Sequence, residues 1–322
     1  MGVDCIDKKD MLILWELTKN ARKPLSQIAR SVKLPKQTVN YRIKNLKRKG
    51  ILRKTYSIFN RSKYNFFIFD IYIKTQGLPR DREKKILDEL SKIKFIYWFV
   101  RLNGNYNYLC SISVTSPAQF HESINKIKSL FGKYLKDMII NIRDYTKRYH
   151  YPFFKNKEKL KDNPSNLDRL GIMKRQKLEM VKILSDNAQT SFVDISKKTN
   201  LSVKSVAQAI KNFEESGFLK RNTAQLDPTV LGYSFFQIAI VLRSSCPEIE
   251  ECAERIPEIF YVIKSSGTYD YQIEFYVQDG DRIHEIEQEL YDKFGNKIVR
   301  IDVLELQKEI IFNYYSGALG KS

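Results

Sequence analysis

The sequence predicts an α+β chain built twice over: two copies of a winged helix-turn-helix, each followed by a ferredoxin-like βαββαβ domain. Three observations predict it. The 322 residues repeat themselves, each copy opens with three short stretches of helical spacing, and the rest of each copy alternates strand and helix patterns.

Sliding the chain on itself by 167 positions lays Asn20-Ala21 on Asn187-Ala188, Ile28 on Ile195, Leu34 on Leu201 and Val39 on Val206. The same shift lays Ile43-Lys44-Asn45 on Ile210-Lys211-Asn212, and Gly50 with Leu52 on Gly217 with Leu219. Further along the shift becomes 163, with Gly104, Tyr106 and Tyr108 on Gly267, Tyr269 and Tyr271, and Phe131-Gly132 on Phe294-Gly295. The change marks an insertion in the first copy near Thr75 to Asp81, which reads as a loop tip. A period near 165 is too long for a solenoid repeat and fits a whole structural unit.

Residues 1–60 make the first head. Ile6, Ile13, Leu14 and Leu17 recur at helical spacing, Leu25 to Val32 gives a short second helix, and Lys36 to Lys49 a third with Val39, Ile43 and Leu46 on one face. Lys33-Leu34-Pro35 is the tight turn between the last two, Gly50 stops the third, and Ile51 to Ile58 is β-like, as a wing would be. Residues 61–150 follow as the first βαββαβ domain. Its strands lie near Phe66 to Lys74, Phe95 to Leu102, Tyr108 to Val114 and Met138 to Arg143, separated by helices at Asp81 to Ser91 and Pro117 to Phe131. Residues 151–170, with Pro152, four alternating lysines from Lys155 to Lys161, and Asn163-Pro164-Ser165-Asn166, suit a linker. Residues 171–227 repeat the head, with Ser202 as N-cap of a helix from Val203 to Glu215. Residues 228–322 repeat the second domain, where Tyr271, Ile273, Phe275 and Val277 alternate with more polar neighbours at the period of a strand with one buried face. The stretches Phe66 to Lys74 and Phe235 to Leu242 are apolar on both sides, which one helix layer leaves half uncovered, so the copies are expected to pair within the chain.

Composition narrows the function. A 43% hydrophobic, 12% aromatic chain is not disordered, and 56 Lys and Arg against 37 Asp and Glu, a formal charge of +19, point to a polyanionic partner. Four cysteines without a Cys-x-x-Cys pair indicate neither a disulfide framework nor a Cys-rich zinc site and fit a reducing cytoplasm. The start carries neither an export signal nor a myristoylation pattern, and the longest apolar runs are strand-length, so no membrane span and a cytoplasmic location are expected. Without a Gly-rich phosphate loop, nucleophile elbow or zinc-protease motif, neither catalytic residues nor a cofactor are expected.

Taken in order, these pieces resemble the Lrp/AsnC (feast/famine) family of archaeal and bacterial transcription regulators. Asp7, Leu17, Asn20-Ala21-Arg22, Ile28-Ala29, Val39, Arg42-Ile43, Leu46 and Gly50-Ile51 stand where that family has an opening Asp, a helix-one Leu, an Asn/Asp-x-Arg turn and a T-V-x-x-R-I recognition helix. Leu226-Asp227-Pro228 with Leu231-Gly232-Tyr233 is similar to its L-D-P-x-x-L-G-Y hinge, and Gly267-Thr268-Tyr269-Asp270-Tyr271 to the G-x-x-D turn of its effector domain. The resemblance implies an archaeal-type regulator that binds double-stranded DNA, pairs through its effector domains, can assemble further, and answers to a small amino-acid-like effector. The copies depart from the pattern differently. The first degrades the hinge to Phe59-Asn60-Arg61-Ser62-Lys63-Tyr64-Asn65 and has Asn107 where the second has Asp270, while the second has Ala209 in place of Arg42. DNA contact is thus expected mainly of the first copy and effector-type geometry of the second.

The candidate DNA-contacting residues of the third helix are Lys36, Gln37, Thr38, Asn40, Tyr41, Arg42, Lys44, Lys47 and Arg48: amides and guanidinium groups for base edges, flanked by cations for phosphates. Arg42 lies beside the buried face, where it either reads a base or braces the groove wall. Residues 1–55 hold 15 Lys and Arg against 4 Asp and Glu, whereas 173–222 hold 10 against 5. In the second head Lys204, Ser205, Gln208 and Lys211 are the candidates, opposed by Glu214-Glu215, and Phe213 and Phe218 suggest a packing role instead. For an effector the resemblance implies Gly267, Thr268, Tyr269 and Asp270, with Gly104 and Asn107 in the first copy; the bland reading of both turns is a tight hairpin. His121 and His284 repeat on one helix, but single histidines give thin ligand support and no metal site is expected. Two other readings stay open. One is an architectural DNA-binding protein without sequence preference; the other is a sirohaem decarboxylase, a class that shares this architecture, although the wing Leu52-Arg53-Lys54-Thr55-Tyr56 departs from that class's Arg-Arg-Phe-Gly-Ala type.

Overall fold

The computed structural model describes residues 6–60, 66–154 and 175–312. They gather into two units, one made of 6–60 with 175–232 and the other of 66–154 with 233–312, so each unit draws on both copies. In chain order the first copy runs α1 (Lys8–Lys19), α2 (Leu25–Val32), α3 (Lys36–Arg48), β1 (Leu52–Phe59), β2 (Phe67–Thr75), α4 (Arg80–Ser91), β3 (Ile96–Asn103), β4 (Tyr108–Val114), α5 (Pro117–Phe131) and β5 (Leu135–Arg148). The second runs α6 (Arg175–Asp186), α7 (Phe192–Thr199), α8 (Val203–Glu215), β6 (Leu219–Leu226), β7 (Ser234–Leu242), α9 (Glu248–Arg255), β8 (Ile259–Gly267), β9 (Tyr271–Val277), α10 (Asp281–Phe294) and β10 (Ile298–Phe312). Residues 61–65 of the degraded hinge and most of the expected linker lie outside the described residues.

In the head unit α1 begins at Asp7, whose carboxylate accepts from the amides of Lys9 and Asp10 at 2.8 Å while the Asp10 carboxylate accepts from the Asp7 amide. Lys33 ends α2 at φ 54°, and Asn200 takes the same φ after α7, so each helix-turn-helix turn is made by a left-handed non-glycine residue. Pro35 and Ser202 then open α3 and α8, Ser202 by accepting from the Ser205 amide.

The wing expected at Ile51 to Ile58 is one strand per copy. β1 pairs antiparallel with β6, Tyr56 opposite Thr223, in a two-stranded sheet that crosses between the copies. A lone strand leaves its backbone donors and acceptors unpaired; here the other copy's equivalent strand satisfies them. The turn after β6 stays with the heads: the Asp227 amide donates to Ile51 O at 2.9 Å, and Arg53 donates to the Asp227 carboxylate at 2.5 and 3.0 Å.

In the other unit each copy contributes four antiparallel strands, ordered β3-β4-β2-β5 and β8-β9-β7-β10. These are not two open sheets. β5 pairs with β8 and β10 with β3, closing an eight-stranded barrel. The closure follows from length: β5 extends well beyond the expected Met138 to Arg143, and Arg143 to Arg148, past its partnership with β2, pair with Ser265 to Tyr261. Alternation along the strands sorts the core. Ile71 and Ile73 pack with Ile86, Leu90, Ile124 and Ile127 of α4 and α5, whereas Tyr72 between them joins Leu109, Ala239, Tyr269 and Leu304 in the cluster between the copies. Tyr151 and Phe154, at the start of the expected linker, are buried, and Tyr151 stacks on Phe260 at 4.4 Å between centroids, so 151–154 belong to this unit. No helix among the described residues is long and apolar enough to cross a membrane.

Candidate nucleic-acid interface

Val39 and Leu46 bury one side of α3, and helical spacing then turns Lys36, Gln37, Asn40, Tyr41, Lys44, Lys47 and Arg48 outward, all exposed, with Thr38 half-buried. Tyr41 is 68% exposed, an aromatic ring held out among cations. Cations crowd the C-terminal turn, which suits both the helix dipole and a polyanion beside it.

Arg42 does something else. Its Nη1 donates to Asp7 Oδ2 at 2.7 Å and Asp10 Oδ1 at 2.9 Å, tying α3 to the capping box of α1. The hydrogen bonds to Asp10 and then Asp7 push the guanidinium above its ordinary pKa. Against some desolvation, the Asp10 amide and Arg42 hold the Asp7 carboxyl below its own. Of the two roles left open by the sequence, the geometry gives Arg42 the brace.

α8 carries Lys204, Ser205 and Gln208 on its exposed side, but Gln208 donates to Asn212 at 2.8 Å and Lys211 lies 3.6 Å from Glu215. Ser205 and Ser202 share a hydroxyl contact at 2.8 Å at the helix start. Phe213 is buried against Phe59 and Phe218.

The Asn-Ala-Arg turn, which the resemblance assigned to the DNA-binding pattern, pairs the heads. Arg22 donates to Ala188 O at 2.5 Å and Thr190 O at 3.1 Å and lies over the Phe192 ring, and from the equivalent position Gln189 donates to Ala21 O at 3.0 Å. Ser57 and Thr55 add bonds to Asn222 and Asn187. The signal was in the sequence: this turn repeats at the 167-residue shift, as interface residues would.

The two effector-type turns use their side chains on themselves. Gly104 and Gly267 take φ of 131° and 141°, and a Cβ on Gly267 would sit 2.6 Å from Ile140 O, so the tight approach needs glycine. The Asp270 carboxylate accepts from the Leu242 amide at 2.7 Å, and Asn107 accepts likewise from the Thr75 amide at 2.7 Å. Tyr269 is buried and donates to Asp302 at 2.6 Å; Thr268 is half-buried and its amide donates to Asn141. His121 lies 2.8 Å from Asn125 on α5 and His284 is 84% exposed on α10. Among the described residues no cluster of His, Cys, Asp and Glu is arranged to hold a metal ion.

The family described as winged helix-turn-helix DNA-binding matches residues 6–53 and again 173–220. The HTH-type transcriptional regulator LrpA of Pyrococcus horikoshii is 33% identical over 127 residues, which are 84% of that protein and 38% of this chain. LysM of Saccharolobus solfataricus, also an HTH-type transcriptional regulator, is 27% identical over 135 residues, 90% of its length and 41% of this chain. Relatives that are nearly fully covered by two-fifths of the chain are what a duplication requires. Among solved structures, the siroheme decarboxylase NirDL superposes with a TM-score of 0.64 over 97% of this chain and 96% of its own at 12% identity, a likeness of fold alone. With the helix-turn-helix present twice and LrpA matched over most of its length, the chain belongs to the Lrp/AsnC family of DNA-binding transcription regulators, as a tandem duplicate.

Proposed function

We propose that the chain is a sequence-preferring transcription regulator that acts on double-stranded DNA in the cytoplasm as a single-chain pseudodimer. One observation carries the reading: Lys36, Gln37, Asn40, Tyr41, Lys44, Lys47 and Arg48 form an exposed row on α3, on a helix whose seating is fixed by Arg42. Phosphate contacts fix register, and amides and aromatic rings discriminate base edges. Residues 61–150 and 228–322 are read as effector and dimerisation domains of ferredoxin-like type, supported by their βαββαβ order and the strand order β3-β4-β2-β5. An amino-acid-like effector at the turns is left Thr268 and the exposed backbone at Gly267 and Gly104, because Tyr269, Asp270 and Asn107 already hold strands together.

The test is a salt titration on selected and random duplexes. A footprint of about 6–10 phosphates loses roughly 10³–10⁵ in affinity between 50 and 200 mM salt, and Gln37→Ala costs about 1–3 kcal/mol on the selected site only. Equal losses on both duplexes favour the architectural alternative. The fold likeness to NirDL is the observation behind the enzyme alternative; a Soret shift on adding iron-uroporphyrin to the full chain would support it.

A further inference from the structure

We infer that the operator is directional: the first head reads a half-site, and the second, docked on it, reads no bases. The inference rests on the DNA-binding reading above and adds the asymmetry.

α3 and α8 occupy the same place in the two copies and run thirteen residues each. Their charge is not the same. α3 has Lys36, Arg42, Lys44, Lys47 and Arg48 and no acid, whereas α8 has Lys204 and Lys211 against Glu214 and Glu215. The reversal falls where it matters, since the two glutamates occupy the positions of Lys47 and Arg48. Carboxylates beside a phosphate repel it, and a like charge facing a partner costs binding. At the other end of the helix Val203, 43% exposed, replaces Lys36. Two of the remaining polar side chains are engaged along the helix, in the Gln208–Asn212 bond and the Lys211–Glu215 pair, which leaves Lys204 as the exposed cation of its first turn.

A second position argues the same way. A helix N-terminus attracts phosphate through its free amides and dipole. At α7 the Asp194 carboxylate stands in that first turn, accepting from Ser191, where α2 has the neutral Gln27. A carboxylate in that turn repels the phosphate the dipole would otherwise attract.

The pairing contacts, by contrast, are kept. Arg22 of the first head grips the Ala188 and Thr190 carbonyls and covers Phe192, and its burial there lowers its pKa, with the charge of Glu214 opposing the shift. The second head is therefore held as a docked support. A symmetric dimer binds a palindrome in two equivalent orientations; this chain distinguishes them, so its operator carries a direction along the DNA.

Binding-site selection from randomised duplex with the full chain tests this, alongside Glu214→Lys/Glu215→Arg. The expected result is one constrained half-site with an unconstrained flank on one side. The charge-restored variant should bind random duplex more tightly, with a log–log salt slope steeper by about 2. Two constrained halves, alike or unlike, would overturn the inference and leave DNA binding standing. An unchanged salt slope in the variant would overturn charge reversal as the cause. Failure to bind any duplex at low salt would overturn the reading on which both rest.

Discussion

The two copies have diverged on opposite sides of the two units. In the heads the contacts between copies are kept in kind, Arg22 and Gln189 each donating to the other's turn, and the differences lie on the outward helices α3 and α8. In the barrel the outward cores are kept, Ile71 and Ile73 answering to Ile238 and Ile240 under their helices, and the differences lie between the copies. There Asp70, Tyr72, Asn141 and Arg143 are answered by Gln237, Ala239, Leu304 and Leu306. Two identical copies would bury two Asp–Arg pairs and two such tyrosines. The fused chain buries one of each and answers them with the neutral amide of Gln237 and the apolar Ala239, Leu304 and Leu306, a complementarity that symmetry forbids.

The largest test of that comparison is the buried pair. Arg143 donates to both Asp70 oxygens at 2.8 and 2.9 Å, and Ser111 adds a third bond. Burial works against the Arg143 charge, but Asp70 raises its pKa further still. Giving the first copy the second copy's residue, Arg143→Leu, strands the Asp70 carboxylate and should cost about 3–5 kcal/mol in denaturant unfolding. Adding Asp70→Gln, as at Gln237, should restore most of it. A loss under about 1 kcal/mol from the single change would mean the pair does not hold the barrel.

Next comes Glu274, which accepts from Gln237 inside the barrel. Burial raises its carboxyl from 4.5 to about 7; Arg143 pulls it down and Asp70 pushes it up. A folded-state pKa above the unfolded value means the fold holds its proton while the unfolded chain has released it. Stability is therefore undiminished below pH 4.5 and falls as pH rises through 7. Glu274→Gln keeps the acceptor and removes the charge, so its advantage over the parent should grow from nil near pH 4.5 to about 1–3 kcal/mol at pH 8. A pH-independent difference would break the assignment.

The heads were legible because their signals are local: helical spacing, the glycine stops, the Ser202 cap. The barrel was not, because strand periodicity says which face is buried and nothing of which strand lies alongside. The second partner of β5 and of β10 comes from the other copy, more than a hundred residues away. The strand expected at Met138 to Arg143 also stops short of the polar end of β5, with Asp144, Lys147 and Arg148, although Arg148 is buried beside Phe260 and Tyr261. Arg42 was half legible. The second copy replaces Asp7, Asp10 and Arg42 together, by Lys174, Lys177 and Ala209, and joint loss is the trace a brace leaves inside a duplication.

That brace gives a smaller effect. Arg42→Ala should lower the stability of the chain by about 1 kcal/mol, the scale of a partly exposed charge-assisted pair. Asp10→Asn should cost a similar amount, and the double variant little more than either. A base reader predicts the opposite pattern: unchanged stability, and loss on the selected duplex alone. Thermal unfolding of the four proteins of the cycle separates the two roles.

The smallest expected effect compares the two turns. Asn107 and Asp270 differ by a charge yet make the same bond, each accepting a strand-end amide at 2.7 Å, and Asn107 also accepts from the Thr75 hydroxyl. If that acceptor is the whole role, Asn107→Asp should change stability by less than about 0.5 kcal/mol, and Asn107→Ala by about 1 kcal/mol for the part-buried amide it leaves unmet. A carboxylate that instead holds a ligand's ammonium group behaves differently. Asp270→Asn would then leave stability alone but abolish any thermal shift produced by free amino acids, and Asn107→Asp would create one in the first copy. Scanning the amino acids against parent and both variants decides whether the second turn differs from the first in chemistry or only in charge.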